Sequence, residues 1–90
     1  MGLVARSISL CGKVQQVGFR YFVYRLACEL GVKGFVKNLP DGSVLIEAEC
    51  EEHIVEIFIN HVRKGSPHAN IDGCESDQIE VKSYKDFKIL

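Results

Sequence analysis

The 90-residue chain has no tryptophan, one methionine and two prolines, and neither sign of charge dominates, eleven Lys and Arg standing against twelve Asp and Glu. Without a basic excess or a Lys/Arg stripe, it lacks the charge neutralisation on which nucleic acid binding draws, so no DNA or RNA partner is expected. A long apolar run is missing too. Gly2 to Leu10 is interrupted by Arg6, Ser7 and Ser9, which makes it too short and too polar for a signal-peptide core or a membrane span. A cytoplasmic protein with no membrane partner is the expectation. The four cysteines, Cys11, Cys28, Cys50 and Cys74, form no CxxC pair and have no His at a zinc-finger offset; no metal site and no cofactor are expected. An even number of cysteines permits disulfides, but Cys11, Cys28 and Cys50 lie in apolar-periodic segments, where a free thiol packs as a small hydrophobe. Free thiols in a reducing compartment are therefore expected.

What is present is ordinary globular material. The chain is 47% apolar and 26% charged, which excludes a disordered chain and supports one packed domain over residues 1–90. From Leu3 to Cys11, Val4, Ile8 and Leu10 alternate with Ala5, Ser7, Ser9 and Cys11, the period of a half-buried strand. From Phe19 the period changes: Phe22, Val23, Leu26, Ala27 and Leu30 predict a helix ending near Leu30, with Gly31 as its stop. Val32 to Leu39 returns to strand character, the PDGS segment makes a turn, and Val44 to Cys50 forms the second arm of a hairpin. On that arm Val44, Ile46, Ala48 and Cys50 are expected to face inward and Leu45, Glu47 and Glu49 to face solvent. A second helix is predicted from about Glu51 to Lys64, with Ile54, Ile57, Phe58 and Val62 on its buried side and Arg63 and Lys64 matching its dipole. Gln78 to Lys82 and Phe87 to Leu90 read as strands. The order β-α-β-β-α-β, with a possible fifth strand, predicts an α+β fold: a four- to five-stranded antiparallel sheet with two helices packed on one face, the split β-α-β arrangement.

That architecture hosts many functions, so function has to be sought in a site. Gly12-Lys13-Val14-Gln15-Gln16-Val17-Gly18-Phe19-Arg20 leads from a strand through a tight loop into a helix whose first turn carries an arginine. Helix N-termini expose unsatisfied N–H groups and partial positive charge, and a compact loop can turn its amides toward an anion. Arg20 adds a planar guanidinium whose fork matches two phosphoryl oxygens. Taken alone, such an arginine is better explained as a solvated surface residue. In the second segment, Gly34 to Val44, Asn38 closes a strand just before a turn, where hydrogen bonding to its own backbone is the plain explanation. If the strand holding Asn38 lies beside the first strand, its amide comes near the loop and can hold a water.

Together, Gly12 to Arg20 and Gly34 to Val44 resemble the paired signature of the acylphosphatase family, and the likeness extends through both helices to Phe87-Lys88-Ile89. The resemblance implies the ferredoxin-like fold and hydrolysis of acyl phosphates without a metal. It further implies Arg20 as the phosphate-binding arginine, Asn38 as the water-orienting asparagine, and Gln15, Gln16, Val17, Gly18, Phe19 and Arg20 as the phosphate-binding loop. The partners it implies are a small acyl phosphate and inorganic phosphate or a similar anion, with a monomer as the expected state. The chain departs from the pattern at Gln16, Phe35, Lys37 and Cys50, where the family usually has Gly, Trp, Arg and Gly. A left-handed residue at position 16 would cost a non-glycine side chain about 1 to 2 kcal/mol, which bears on phosphate affinity. Arg20 to Ala27 is also similar to the acylphosphatase-like domain of hydrogenase-maturation carbamoyltransferases, so a non-catalytic or carbamoyl-phosphate-handling module is one rival. An RNA binder on the same fold is the other; its stacking platform would have only Phe35. His53, His61 and His68 are read as surface or helix-end residues, Asp41 and Gly42 as turn chemistry, and Glu47, Glu49, Glu51 and Glu52 as solvated.

Overall fold

The computed structural model describes residues 2–90. In chain order the elements are β1 (Leu3–Lys13), α1 (Phe19–Leu30), β2 (Lys33–Asn38), β3 (Val44–Glu51), α2 (Glu52–Lys64), β4 (Asn70–Ile79) and β5 (Phe87–Ile89). They form one five-stranded sheet in the order β4-β1-β3-β2-β5. The pairs β1–β3, β1–β4 and β2–β3 are antiparallel. β5 joins β2 in parallel, so the sheet is mixed where an antiparallel one was expected. The α+β arrangement of two helices on one sheet is the one the sequence pattern predicts.

The core lies between that sheet and the helices. Cross-strand register puts Ile8 opposite Ile46 and Leu10 opposite Val44, while Val36 on β2 also faces Ile46. These side chains are fully buried with Val23 and Ala27 of α1 and Phe58 and Val62 of α2 in one apolar cluster. Both helices therefore cover the same face. Helix α2 is turned slightly from its predicted orientation: Val55, Phe58, Ile59 and Val62 are buried, and Ile57 is exposed. Six apolar residues between positions 54 and 62 leave more than one stripe with helical spacing, and packing against β1 and β3 selects among them.

The opposite face carries the largest correction. Glu49 is only 1% exposed, because the segment between β4 and β5 folds across it. Its carboxylate accepts hydrogen bonds from the main-chain N–H groups of Lys82 (2.6 Å), Ser83 (3.1 Å) and Tyr84 (2.8 Å). Ser83 takes a left-handed φ of 59°, and a reversal of this kind turns successive amides inward around an anion. Glu47 accepts from Lys82 Nζ at 2.8 Å and from the Tyr84 hydroxyl at 2.6 Å, and Tyr84 packs edge-on against Phe35. Burial pushes the Glu47 carboxyl up, but the bonds from Lys82 and Tyr84 and the charges of Lys82 and Lys37 outweigh it and hold the group below its ordinary value. Glu80 to Asp86 is thus a strap over the sheet, and the strand expected from Gln78 to Lys82 is displaced into β4, which begins at Asn70. All four cysteines are free thiols, although Cys11 and Cys28 are exposed and only Cys50 packs fully in the core. Burial, then the charge of Glu51, raises the Cys50 thiol to about 11.

Candidate active site

The loop before α1 and Asn38 do come together, by a route other than the predicted one. β1 and β2 are not neighbours, since β3 lies between them. Leu10, Val44 and Asn38 stand in one row across β1, β3 and β2, with a strand spacing of about 4.8 Å at each step. To approach Asn38, the loop after β1 has to cross the start of β3.

Sequence-local features bring it there. β1 is bulged between Cys11 and Gly12; Gly12 has φ 118°, and a Cβ on it would strike the carbonyl oxygen of Asn70. Beyond the bulge, Val14 and Phe19 are each 1% exposed and pin both stems of the loop in the core. Gln15 spans the β2–β3 turn, its Nε2 donating to the carbonyls of Leu39 (2.8 Å) and Ser43 (2.9 Å). That turn is held in its own right: the Asp41 carboxylate accepts from the Ser43 hydroxyl at 2.6 Å and the Ser43 amide at 2.9 Å, bonds that lower its pKa. Gln15 is therefore a strut from the loop to the hairpin.

Between these anchors the backbone is reversed twice. Gln16 has φ 61° and Gly18, the N-cap of α1, has φ 77° with no side-chain cap. The main-chain N–H groups of Gln16, Val17 and Gly18 find no acceptor among the described residues, and the first amides of α1 are unpaired as in any helix. No acidic residue occupies the first turn of α1, and Arg20 sits there. A cation at the positive end of a helix dipole costs roughly 0.3 to 1 kcal/mol. The same placement concentrates positive potential on one spot, where an anion would relieve it.

Arg20 Nη1 donates to the main-chain oxygen of Leu90 at 2.6 Å, and Leu90 is itself tied to the Val36 carbonyl through its amide at 2.9 Å. The guanidinium is thereby fixed beside the end of β2, with most of its five donors uncommitted. Arg20 and Asn38 line one cavity of about 200 Å³ together with Gln16, Gly18 and Phe19. By liquid volume this is room for about six waters, enough for a phosphoryl group and a nucleophile. The Asn38 Oδ1 atom is buried and accepts no hydrogen bond from any described residue.

Of the residues expected in the site, Arg20, Asn38, Gln16, Gly18 and Phe19 share this cavity. Gln15 supports it from behind, and Val17 faces a second, adjoining groove. The wall residues Val14, Tyr21 and Ile89 and the Leu90 oxygen that holds Arg20 were missed; only the parallel docking of β5 on β2 brings the last two into reach. Among the described residues no three His, Cys, Asp or Glu side chains gather as metal ligands, and no helix is long and apolar enough to cross a membrane.

Comparisons with known proteins place the chain in a family. The acylphosphatase family profile matches residues 6–89. An acylphosphatase of Archaeoglobus fulgidus is 46% identical over 87 residues, covering 97% of this chain and 98% of the relative. The crystal structure of acylphosphatase from Bacillus subtilis superposes with a TM-score of 0.94 at 34% identity, covering 97% of this chain and 98% of that one. Full-length HypF in its phosphate- and nucleotide-bound form contains a similar unit, with a TM-score of 0.89 at 39% identity; the match covers 99% of this chain but 12% of HypF.

Proposed function

Since the chain belongs to the acylphosphatase family and hydrolyses acyl phosphates to carboxylate and phosphate, we propose that the cavity shared by Arg20 and Asn38 is where the reaction occurs. The Arg20 guanidinium and the free amides of residues 16 to 18 gather the phosphoryl oxygens. They are fixed before substrate arrives, so little reorganisation accompanies the build-up of charge. The Asn38 side-chain amide hydrogen-bonds a water and aims the water's lone pair at phosphorus. The new O–P bond forms as the P–O bond to the acyl carboxylate breaks, the carboxylate leaves with the bonding electrons, and the water proton passes to a phosphoryl oxygen. Because a carboxylate is a good leaving group, positioning and charge stabilisation suffice, and neither a general acid nor a metal has a step to perform.

The observation that carries this reading is that Asn38, whose side chain is not tied up by any hydrogen bond to its Oδ1, lines the same cavity as a fixed arginine. Turnover of benzoyl phosphate in the presence of a chelator, by the wild type, Arg20→Ala and Asn38→Ala, tests it. Loss of activity with chelator would return a metal to the mechanism. The free thiols, two of them at the surface, support a reducing, cytoplasmic setting, and the contact of Tyr84 with Phe35 supports the absence of a nucleic acid platform. A monomer is the proposed state, checked by light scattering.

A further inference from the structure

Gln15 stands in the loop before α1 but does not line the phosphoryl cavity, whose walls include its neighbours Val14 and Gln16. Its half-buried side chain reaches the β2–β3 hairpin instead. The Nε2 atom carries two hydrogens, and both are spent, one on the Leu39 carbonyl at 2.8 Å and one on the Ser43 carbonyl at 2.9 Å. Two carbonyl oxygens as neighbours also fix which end of the carboxamide is nitrogen, since the flipped group would set oxygen against oxygen. No donor of this side chain is left for a phosphoryl oxygen.

The two carbonyls occupy a particular rung. Asn38 pairs with Val44 at the end of the β2–β3 ladder, and Leu39 and Ser43 are the next residues beyond that pair. Leu39 N–H already donates to the Ser43 carbonyl at 2.8 Å, and Gly42 N–H to the Leu39 carbonyl at 3.1 Å. With the Asp41 carboxylate bonded to Ser43 as well, the turn is closed without Gln15. A further partner on carbonyls that are already satisfied does not hold the hairpin together; it fixes the separation between hairpin and loop. Asn38 accepts no hydrogen bond at its Oδ1 from any described residue, so its position is inherited from the backbone at that rung. The free amides of residues 16 to 18 follow Gln15 directly in the chain. One carboxamide thus joins the backbone that carries Asn38 to the backbone that carries the phosphoryl cradle.

We propose that Gln15 is a positioning residue for the hydrolysis: it sets the distance from Asn38 to the loop amides, and so the alignment of the attacking water with phosphorus, while taking no part in holding the phosphoryl group. The inference rests on the roles given above to Asn38 and Arg20. Attack in line through phosphorus tolerates little error, and a misplacement of about 1 Å can cost about 10² in rate. Phosphate binding draws on the loop amides and on Arg20, which is held by the Leu90 oxygen and not by Gln15.

The test is a double-mutant cycle in benzoyl phosphate hydrolysis, with inorganic phosphate as the competing inhibitor, on wild type, Gln15→Met, Asn38→Ala and the double variant. Methionine keeps the length of glutamine and removes both donors. Gln15→Asn, one methylene too short to reach both carbonyls, takes its place in a second cycle, so that poor folding of one variant leaves the other to decide. In the wild-type background kcat should fall at least about tenfold, with KM and the inhibition constant for phosphate within about threefold of their starting values. In the Asn38→Ala background the same substitution should lower kcat less than about twofold, because the group it positions is gone. Equal losses in the two backgrounds, an unchanged kcat, or a phosphate inhibition constant that rises in step with the loss of kcat would each overturn the assignment and leave Arg20 and Asn38 in their roles. Near-wild-type turnover by Asn38→Ala itself overturns the site reading, and the role of Gln15 with it.

Discussion

Gln16→Gly isolates the strain in the phosphate loop. Gln16 has φ 61°, a conformation that costs an L-residue with a Cβ about 1 to 2 kcal/mol. Glycine removes that cost but adds about 0.4 to 1 kcal/mol of unfolded-state entropy, leaving a net stabilisation of about 0.5 to 1 kcal/mol. For a chain of this size that corresponds to a rise in Tm of roughly 2 to 8 °C. Since buried Val14 and Phe19 and the bonds of Gln15 to the hairpin anchor the loop from both ends, the strain is borne by folding and not by binding. The inhibition constant for inorganic phosphate should therefore move by less than about threefold. Differential scanning fluorimetry and phosphate competition against benzoyl phosphate measure the two quantities in one preparation. A Tm that stays put while phosphate affinity tightens tenfold would refute the reasoning, because it would mean that the wild-type loop adopts the turn only when occupied.

Three further outcomes follow from groups outside the cavity. Glu49→Ala leaves the amides of Lys82, Ser83 and Tyr84 without their acceptor and should cost about 1 to 3 kcal/mol or more in urea denaturation; a change below about 0.5 kcal/mol would show the strap to be incidental. Glu47 titrates below its ordinary value of 4.5, so its stabilising contribution is complete above that pH and is lost as pH falls through the folded pKa. The stability gap between wild type and Glu47→Gln should accordingly be open at pH 7 and narrow as pH falls below 4.5, and a gap that stays constant on acidification would contradict the assignment. With its thiol raised to about 11 and buried, Cys50 should react with a disulfide reagent far more slowly than exposed Cys11 and Cys28; mass mapping after a short exposure reads the order.

The sequence makes the fold largely legible wherever one face of an element is apolar and the other is not. β1, α1 and β3 have that contrast, and they form where the periodicity puts them. β4 has no fully buried residue, being an edge strand paired only with β1, so no alternation marks it. Glu49 shows the opposite failure. Its alternation is that of an outward residue, and its burial comes from amides more than thirty positions away, which no local pattern encodes. The loop before α1 stood out in the sequence as a candidate anion site because glycines, a helix start and an arginine coincide there. That Asn38 shares its cavity was expected from an adjacency of β1 and β2 that does not exist; the meeting depends instead on Gln15 bracing the loop across the hairpin. Ile89 was legible as part of a strand but not as a cavity wall, since only chain packing sets it there.

The division of labour between Arg20 and Asn38 is tested most directly by steady-state hydrolysis of benzoyl phosphate, with phosphate inhibition measured in parallel on wild type, Arg20→Ala and Asn38→Ala. Losing one preorganised donor typically lowers turnover by about 10² to 10³. Arg20→Ala should lose at least that and also its phosphate inhibition, whereas Asn38→Ala should lose turnover to a similar degree with phosphate still inhibiting or binding near its wild-type constant. An Asn38→Ala enzyme that turns over at close to the wild-type rate, or an Arg20→Ala enzyme that keeps both turnover and phosphate inhibition, would contradict the account.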